Sequence, residues 1–272
     1  MTRLLSKLAG GYDYAVCYLV DDTLLVDTGF PWARRCLKKT LSALGADKSI
    51  SHVVNTHYHE DHTGNNDLLA EMTGAAILAH RLAVPEIRFP PNLPWYRSFL
   101  FGPSTTVDVA VLEGEVRTPH HRFEVLETPG HCPGHICLFE PNERWLFGGD
   151  LYIAADLDSQ LRDADGPLWI DSLRRVLERR PRWLFDAHGV VVQGEAQVTA
   201  LLARKLEFLE TIQRRVAAAA GSAQTISELT RKVFDQRDLK HFLSQGEGWM
   251  SIITASDFSR CHVVKSFLRA AN

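Results

Sequence analysis

Short apolar runs alternate with helical patterns through the first half of this 272-residue chain. The runs AVCYLV and TLLVDTG are typical of paired strands joined by a turn at Asp21 and Asp22. The segment WARRCLKKTLSALG then has apolar residues at helical spacing and ends at Gly45. The strand SHVVNT, a helix from Asn66 to Thr73 and the strand AAILAH continue the pattern. This alternation predicts a layered α/β fold with functional sites at strand ends.

The second half of the chain is strand-like first and helical later. The segments VDVAVLEG, RFEVLETPG, HICLFEP, RWLFGGDLY and RWLFDAHG are typical of strands. Beyond them, LLARKLEFLETIQRRVAAAA has an amphipathic helical pattern, and TISELTRKVF opens with a capping box between Thr225 and Glu228. A last helix is predicted from about Asp257 to Ala270.

Residues 85–103 interrupt this pattern with five prolines and a group of aromatic residues. Because proline fixes its own backbone and lacks the N–H that a ladder needs, the segment is predicted to be a long ordered loop. Its aromatic part, Trp95–Phe101, is compatible with a lid over a site, with a dimer surface or with packing in the core.

Composition narrows the class of protein. Hydrophobic residues make up 45% and charged residues 23%, which is typical of a globular chain, and no run approaches the ~18 apolar residues of a membrane span. The start of the chain lacks the apolar core of a signal peptide. Five cysteines, an odd number without zinc-finger spacing, indicate reduced thiols, so we expect a cytoplasmic protein without a membrane partner.

One six-residue segment concentrates metal-binding groups. His57, His59, Asp61 and His62 lie within HYHEDH, directly after the strand SHVVNT. In an extended backbone His57 and His59 project to the same side, and the other two follow just past the turn. Imidazole and carboxylate are donors that Zn²⁺, Fe²⁺ and Mn²⁺ accept, so one loop can supply two adjacent metal ions.

Three further donors follow predicted strands. His131 lies in TPGHCPGH, Asp150 ends RWLFGGD, and His188 follows RWLFDA. Two glycines before Asp150 let the backbone approach closely. With the first loop, these residues make five imidazoles and two carboxylates, the set that a two-metal hydrolytic centre requires, with the ions ~3.5–4 Å apart.

The pieces LLVDTG, THYHEDH, TPGHCPGH, FGGDLY and DAHG resemble the motifs of the metallo-β-lactamase fold hydrolases. The resemblance implies a four-layer αβ/βα sandwich over residues 1–198, the catalytic domain, followed by a helical or winged-helix-like extension over 199–272. It also implies the ligands: His57, His59 and His131 for a first metal, Asp61, His62 and His188 for a second, and Asp150 between them. The two ions are expected to be zinc, with Fe²⁺ or Mn²⁺ as alternatives.

Other residues receive supporting roles. The resemblance implies that Asp27 matches a carboxylate of the family that lies behind the metal ions. Such a carboxylate orients the imidazole of a metal ligand. His135 is expected to form a hydrogen bond between strands, and His80, His120 and His121 are expected at the surface. The phenol of Tyr152, two residues after Asp150, is a candidate for stabilising an oxyanion, with core packing as the alternative.

The expected mechanism uses a hydroxide bridging two metals, with the catalytic carboxylates Asp61 and Asp150 holding it and passing its proton to the leaving group. Because true metallo-β-lactamases lack an aspartate at the bridging position and are exported, the pattern looks closer to glyoxalase-II-like thioesterases and lactonases. The expected substrate is a small carboxylic ester, thioester or lactone, and a homodimer is compatible with the sequence.

Two other activities of the same fold stay open. A phosphodiesterase or ribonuclease is favoured only by residues 200–272, whose eleven basic and seven acidic side chains give a net charge of +4. The clustering of basic residues that a nucleic-acid groove normally shows is lacking there. A mononuclear iron sulfur dioxygenase uses a similar motif, but the intact second set of ligands argues against it.

Overall fold

Two six-stranded sheets lie in the first of two compact units in the chain. The computed structural model describes residues 2–7, 14–234, 254 and 257–269. The first unit contains the described chain up to Glu127, together with Gly134–Ile153 and Pro181–Val198. The second contains Thr128–Pro133, Ala154–Arg180 and the described chain from Thr199 onward.

The first sheet is antiparallel at one edge and parallel through the rest. Its strands, in spatial order, are β1 (Thr2–Lys7), β2 (Tyr14–Val20), β3 (Leu24–Val26), β4 (His52–Val54), β5 (Ala76–Ala79) and β6 (Ala110–Val111). The strands from β1 to β3 pair antiparallel, and those from β3 to β6 pair parallel. Parallel neighbours end at the same edge, so the loops after β3 and β4 emerge side by side.

The second sheet is antiparallel except for one pair. Its strands follow one another across the sheet in chain order: β7 (Glu115–Arg117), β8 (Arg122–Glu127), β9 (Ile136–Glu140), β10 (Trp145–Gly149), β11 (Trp183–Asp186) and β12 (Val191–Gln193). Only β10 and β11 pair parallel among these strands. The chain therefore leaves both of them at the same edge, where Asp150 and His188 follow.

The two sheets pack face to face through buried aromatic and branched side chains. The ring of Tyr18 on β2 meets Phe147 and Phe185 of the other sheet edge-on, with centroids 5.4 and 5.6 Å apart. Burying one such side chain contributes roughly 1.5–3 kcal/mol. This shared core fixes the strands whose ends carry the site.

Helices cover the outer face of the first sheet. Helix α1 (Arg34–Ala43) buries Leu37 and Leu41, and α3 (Asn66–Thr73) buries Leu68 and Leu69, against the outward side chains of that sheet. The helix before Gly45 ends as predicted, since Gly45 adopts a φ of +70° that a Cβ would disfavour. The predicted strands and helices of the first half are confirmed, and with them the α/β fold class.

The predicted loop over residues 85–103 is wrong, because two short helices form there: α4 (Val84–Arg88) and α5 (Trp95–Phe101). Pro85 lies in the first turn of α4 and Pro94 directly precedes α5, positions where the missing N–H costs no helical hydrogen bond. Trp95 and Phe99 are 78% and 75% exposed, whereas Tyr96 is buried. Core packing therefore applies to only part of this aromatic segment.

Strands β1, β7 and β12 and helix α6 were not predicted from the sequence. Strand β1 pairs with β2 at the edge of the first sheet. Helix α6 (Gly166–Glu178) begins after Asp165, whose carboxylate accepts a hydrogen bond from the Leu168 N–H at 3.0 Å. The cap and the proline that follows it are ordinary helix-start features.

The second unit is mostly helical in its described part. Its remaining helices are most of α7 (Glu195–Ala219), α8 (Ile226–Val233) and α9 (Arg260–Arg269), the last packed on α8 and α6. One half of the predicted capping box is confirmed, since Thr225 Oγ1 accepts a hydrogen bond from the Glu228 N–H at 3.1 Å. The Glu228 carboxylate accepts the Gln224 N–H, at 2.9 Å. The last helix starts at Arg260 rather than Asp257, and Ala270 lies outside the described residues. The domain boundary at 198/199 stays a prediction.

Candidate metal centre

The loop after β4 carries the first group of imidazoles. Nε2 of His57 and Nδ1 of His59 lie 3.0 Å apart, so the two rings project to the same side as predicted. His59 is extended and directly precedes helix α2 (Glu60–Thr63), a single turn that carries Asp61 and His62. All three histidines are buried.

Asp61, His62, Asp150 and His188 form one cluster. Nε2 of His62 lies 3.5 Å from a carboxylate oxygen of Asp61 and 3.4 Å from one of Asp150. Nε2 of His188 lies 3.7 and 3.1 Å from the same two carboxylates. The side chains of Asp61 and His188 are about one fifth exposed, whereas the other two are almost completely buried.

Asp150 is the residue that joins the histidines. Besides His62 and His188, its carboxylate reaches His57, with Nε2 of that ring 4.0 Å away. One carboxylate thus lies within 4 Å of three imidazole nitrogens. A carboxylate shared in this way can bridge two cations.

Asp27 supports the cluster from behind. It follows β3 with a φ of +59°, and its carboxylate accepts hydrogen bonds from the Thr56 N–H at 2.8 Å and the Thr56 hydroxyl at 2.9 Å. Nδ1 of His62 donates to the same carboxylate at 3.0 Å. The orienting contact expected of Asp27 is therefore present.

The surroundings of Nε2 of His62 show whether this cluster of residues suits a metal ion. Nε2 is buried and makes no hydrogen bond of good geometry with the described residues, yet two carboxylates lie within 3.5 Å. In its neutral form, an imidazole whose Nδ1–H is occupied presents a lone pair at Nε2, and a lone pair beside two carboxylates is a set of donors for a metal ion. The residues of this cluster fit a divalent cation.

The electrostatics of the cluster agree with that fit. Burial alone would lower the pKa of His188, but the carboxylates of Asp150 and Asp61 raise it to about 10. Burial likewise opposes charge on His62, yet the nearby aspartates raise its pKa well above 6.5. Burial works against ionisation of Asp61, and these two imidazoles nevertheless lower its pKa. The carboxylates thus attract positive charge strongly.

The position of Asp150 is fixed by close packing of the backbone at the preceding residue, Gly149. Gly149 has a φ of +50°, and a Cβ there would lie 2.8 Å from the side chains of both Thr56 and His135. The Asp150 N–H donates to Nε2 of His135 at 3.0 Å. The close approach predicted from the glycines is confirmed, as is the hydrogen bond between strand ends predicted for His135.

Sequence reasoning missed Asp186, the last residue of β11. Its buried carboxylate accepts hydrogen bonds from the backbone N–H groups of His188 at 2.7 Å and Ile153 at 3.0 Å. Burial raises its pKa to about 6. The sequence did contain a signal for this residue: in DAH, Asp186 stands two positions before the predicted ligand His188.

Sequence reasoning also missed an ion pair behind the HYHEDH loop. Glu60 and Arg97 form a bidentate pair at 2.6 and 2.5 Å, and their side chains are only 3% and 13% exposed. The pair fastens α5 to the residue next to Asp61.

His131 belongs to the second unit, where it is buried in the segment Thr128–Pro133. Its ring meets Trp169 of α6 edge-on at 5.6 Å. The carbonyls of Pro129 and Gly130 each accept a hydrogen bond at 2.7 Å, from Ser172 Oγ and the Asp165 N–H. Helix α6 therefore fixes this turn, and the role of His131 as a ligand stays a prediction.

Two further expectations concern single residues. Tyr152 is buried just beyond β10, and its role at an oxyanion stays a prediction. The surface position expected for His80 is wrong, because this residue is buried at the end of β5 with Nε2 3.2 Å from a carboxylate oxygen of Glu127. His120 is exposed, as expected.

Two packed sheets with imidazoles and carboxylates at their strand ends define an α/β protein with a candidate metal centre. The chain belongs to the metallo-β-lactamase superfamily, whose family model matches residues 10–188. The region that carries this match contains all seven predicted ligands. The resemblance inferred from the motifs is confirmed.

Individual relatives agree with this family. A hydroxyacylglutathione hydrolase of Rhodospirillum rubrum is 33% identical over 134 residues, 47% of this chain and only 43% of that relative. The probable metallo-hydrolase YqjP of Bacillus subtilis is 23% identical over 89% of this chain and 88% of its own length. The crystal structure of a beta-lactamase domain protein from Burkholderia ambifaria superposes with a TM-score of 0.70 at 18% identity, covering 99% of this chain and 85% of that one.

None of the described helices combines the length and the apolar character needed to cross a bilayer.

Proposed function

We propose that this protein is a hydrolase with two divalent metal ions, zinc in the native state, that cleaves a small carboxylic ester, thioester or lactone. The observation that carries the proposal is the carboxylate of Asp150, within 4 Å of Nε2 of His57, His62 and His188. The hydroxyacylglutathione hydrolase among the relatives acts on a thioester, and this supports the substrate class.

The proposed ligands divide into two sets. His57, His59 and His131 take one ion, and Asp61, His62 and His188 take the other, with Asp150 shared. The assignment of His131 rests on its motif, TPGHCPGH, and on the family. When bound, such ions lower the pKa of water and polarise the carbonyl to be cleaved.

The side chains of the protein then move the proton and orient the groups. Asp61 is about one fifth exposed and Asp150 is almost completely buried, so the Asp61 carboxylate is the more accessible of the two to an entering substrate. Either carboxylate can accept the proton of the attacking water and pass it to the leaving oxygen or sulfur. Asp27 accepts the proton on Nδ1 of His62, which leaves Nε2 as the nitrogen that can exchange its proton for a metal ion.

Tyr152 is proposed to donate a hydrogen bond to the oxyanion that develops on the substrate. Tyr152→Phe removes only the hydroxyl and keeps the ring. We expect kcat to fall with KM nearly unchanged, since the bond strengthens in the transition state. Unchanged kcat in Tyr152→Phe would assign the ring to core packing.

A panel assay with metal analysis tests the proposed function. The metal-saturated protein is assayed on esters, thioesters, lactones, phosphodiesters and RNA, beside Asp150→Asn and the distant control Asp21→Asn. We expect about two ions per chain and turnover of an ester, thioester or lactone that Asp150→Asn reduces severely and Asp21→Asn does not. Turnover confined to phosphodiesters or RNA, with steep loss at high salt, contradicts the substrate class. A single iron per chain supports the oxygenase instead.

We also propose a cytoplasmic location. All five cysteines lie among the described residues in the reduced form, which suits a reducing compartment. Fractionation of cells that produce the protein tests this, and recovery outside the cytoplasmic fraction would contradict it.

A further inference from the structure

The strands β10 and β11 end side by side, and each is followed by a turn with a proposed ligand. In their parallel register Gly149 lies opposite Asp186, and the Ala187 N–H donates to the Gly149 carbonyl at 3.1 Å. The first turn carries Asp150 and continues to Ile153, and the second carries His188. The distance of 3.1 Å between Asp150 and Nε2 of His188 therefore depends on how these two turns are held together.

The turn after Asp150 contains a strained residue. Ile153 has a φ of +54°, in the left-handed region. A β-branched side chain disfavours this conformation more than most, because its two γ groups crowd the neighbouring backbone. Such a conformation persists only where surrounding contacts determine it, and it is found preferentially near functional sites.

Asp186 supplies that contact. One oxygen of its carboxylate accepts the Ile153 N–H at 3.0 Å, and the other accepts the His188 N–H at 2.7 Å. The carboxyl group is completely buried, and the Asp186 carbonyl accepts the hydroxyl of Tyr18 at 2.7 Å, so the residue is fixed at both ends. One side chain thus ties the two turns to each other.

We propose that Asp186 is a positioning residue that sets the separation of Asp150 and His188 by holding Ile153 in its left-handed conformation. The inference rests on the proposed metal-ligand roles of Asp150 and His188. Asp186 itself touches no substrate in this account. It acts through the two backbone N–H groups that it accepts.

Replacing the carboxylate by an amide tests the inference. Asp186→Asn keeps the size of the side chain but turns one acceptor into an NH₂ donor, which faces a backbone N–H. We expect the affinity for the more weakly bound metal, measured by competition with a chromophoric chelator and by Co²⁺ absorption, to fall about tenfold or more. The matched control Asp21→Asn alters a carboxylate that accepts the His120 N–H at the far end of β2, and should bind both metals normally.

A second substitution separates positioning from a general loss of stability. Glycine adopts a φ of +54° without strain, so Ile153→Gly reduces the need for the tether. We expect Asp186→Asn to cost clearly less metal affinity in the Ile153→Gly background than alone. Should Asp186→Asn alone fail to fold, the double variant is compared with Ile153→Gly, and near-equal affinities support the proposal.

Two results would overturn the inference: normal metal affinity in Asp186→Asn, or an equal loss with and without Ile153→Gly. The proposed hydrolase activity fails by a different result, namely two bound metals in the wild-type protein without turnover of any substrate. In that case the metal titrations still decide the role of Asp186.

Discussion

Asp27 and His62 are joined by a hydrogen bond of 3.0 Å from Nδ1 of the imidazole to the carboxylate, although the two residues come from different strand ends. The same carboxylate accepts two hydrogen bonds from Thr56, so its position is fixed independently of the histidine. The bond determines which nitrogen of His62 keeps its proton. Nε2, which is directed at Asp61 and Asp150, is therefore the nitrogen that can exchange its proton for a metal ion.

Removing this bond should weaken metal binding. Asparagine tolerates the φ of +59° at this position, so Asp27→Asn alters the hydrogen bond and the charge without adding backbone strain. We expect metal affinity to fall by about 10–100-fold. The matched control is Asp22→Asn, at an exposed aspartate with a φ of +57°. Equal metal affinities for the two variants would show that Asp27 does not tune the site.

Metal binding should release protons. Because the pKa of His188 is raised to about 10 and the pKa of His62 is raised as well, a second proton on each imidazole is favoured in the metal-free protein. A metal ion must displace these protons, so its apparent affinity should rise as the pH increases toward about 10. Calorimetric titrations in buffers of different ionisation enthalpy should give about two protons per chain.

Asp150→Asn provides the control for that titration. Without the Asp150 carboxylate the pKa of His188 falls, so less proton release is expected at the same pH. Proton release near zero in the wild-type protein, or affinity that declines as the pH rises from 6 to 9, would contradict the electrostatic description of the cluster.

The ion pair between Glu60 and Arg97 should be important for stability. Arg97→Met would leave the Glu60 carboxylate buried without its partner, and breaking such a pair costs about 3–5 kcal/mol of unfolding free energy. Arg34 also pairs with a carboxylate, since its Nη1 donates to both oxygens of Asp67 at 2.8 and 2.7 Å. Its side chain is 40% exposed, so Arg34→Met should cost at most about 1 kcal/mol. Chemical denaturation of both variants measures the difference. Equal losses of unfolding free energy in the two variants would contradict the claim that the buried pair contributes more to stability than the exposed one.

The close contact at Gly149 predicts a further difference between two glycines. Gly149→Ala places a Cβ 2.8 Å from the side chains of Thr56 and His135, next to Asp150. Gly45 also has a positive φ, but a Cβ added there would meet open space. We expect Gly45→Ala to cost about 1 kcal/mol. Gly149→Ala should cost about 1–3 kcal/mol more through overpacking, and should also weaken metal binding. Similar denaturation midpoints for the two variants would mean that the strand ends near Gly149 can move apart to accommodate a Cβ without loss of stability.

The sequence was sufficient for the parts of the site that depend on local spacing. HYHEDH requires no more than an extended strand end and one helical turn to bring His57, His59, Asp61 and His62 together. Asp150 and His188 were predicted because each follows an apolar run with glycine beside it. The fold class followed from the alternation of strand and helix patterns.

Contacts between distant residues could not be predicted in the same way. The pair of Glu60 and Arg97 and the tether from Asp186 to Ile153 join residues more than thirty positions apart, and no periodic pattern marks them. Helices α4 and α5 were missed because prolines were interpreted as loop formers, although Pro85 and Pro94 occupy helix starts. His80 is buried because Glu127, from another strand end, provides its partner.

Anomalous diffraction from crystals of the zinc-loaded protein, collected at the zinc edge, is the most direct test of the central claim. We expect two peaks, about 3.5–4 Å apart, with the carboxylate of Asp150 in contact with both. A single peak, or two peaks of which one lies out of reach of Asp150, would contradict it.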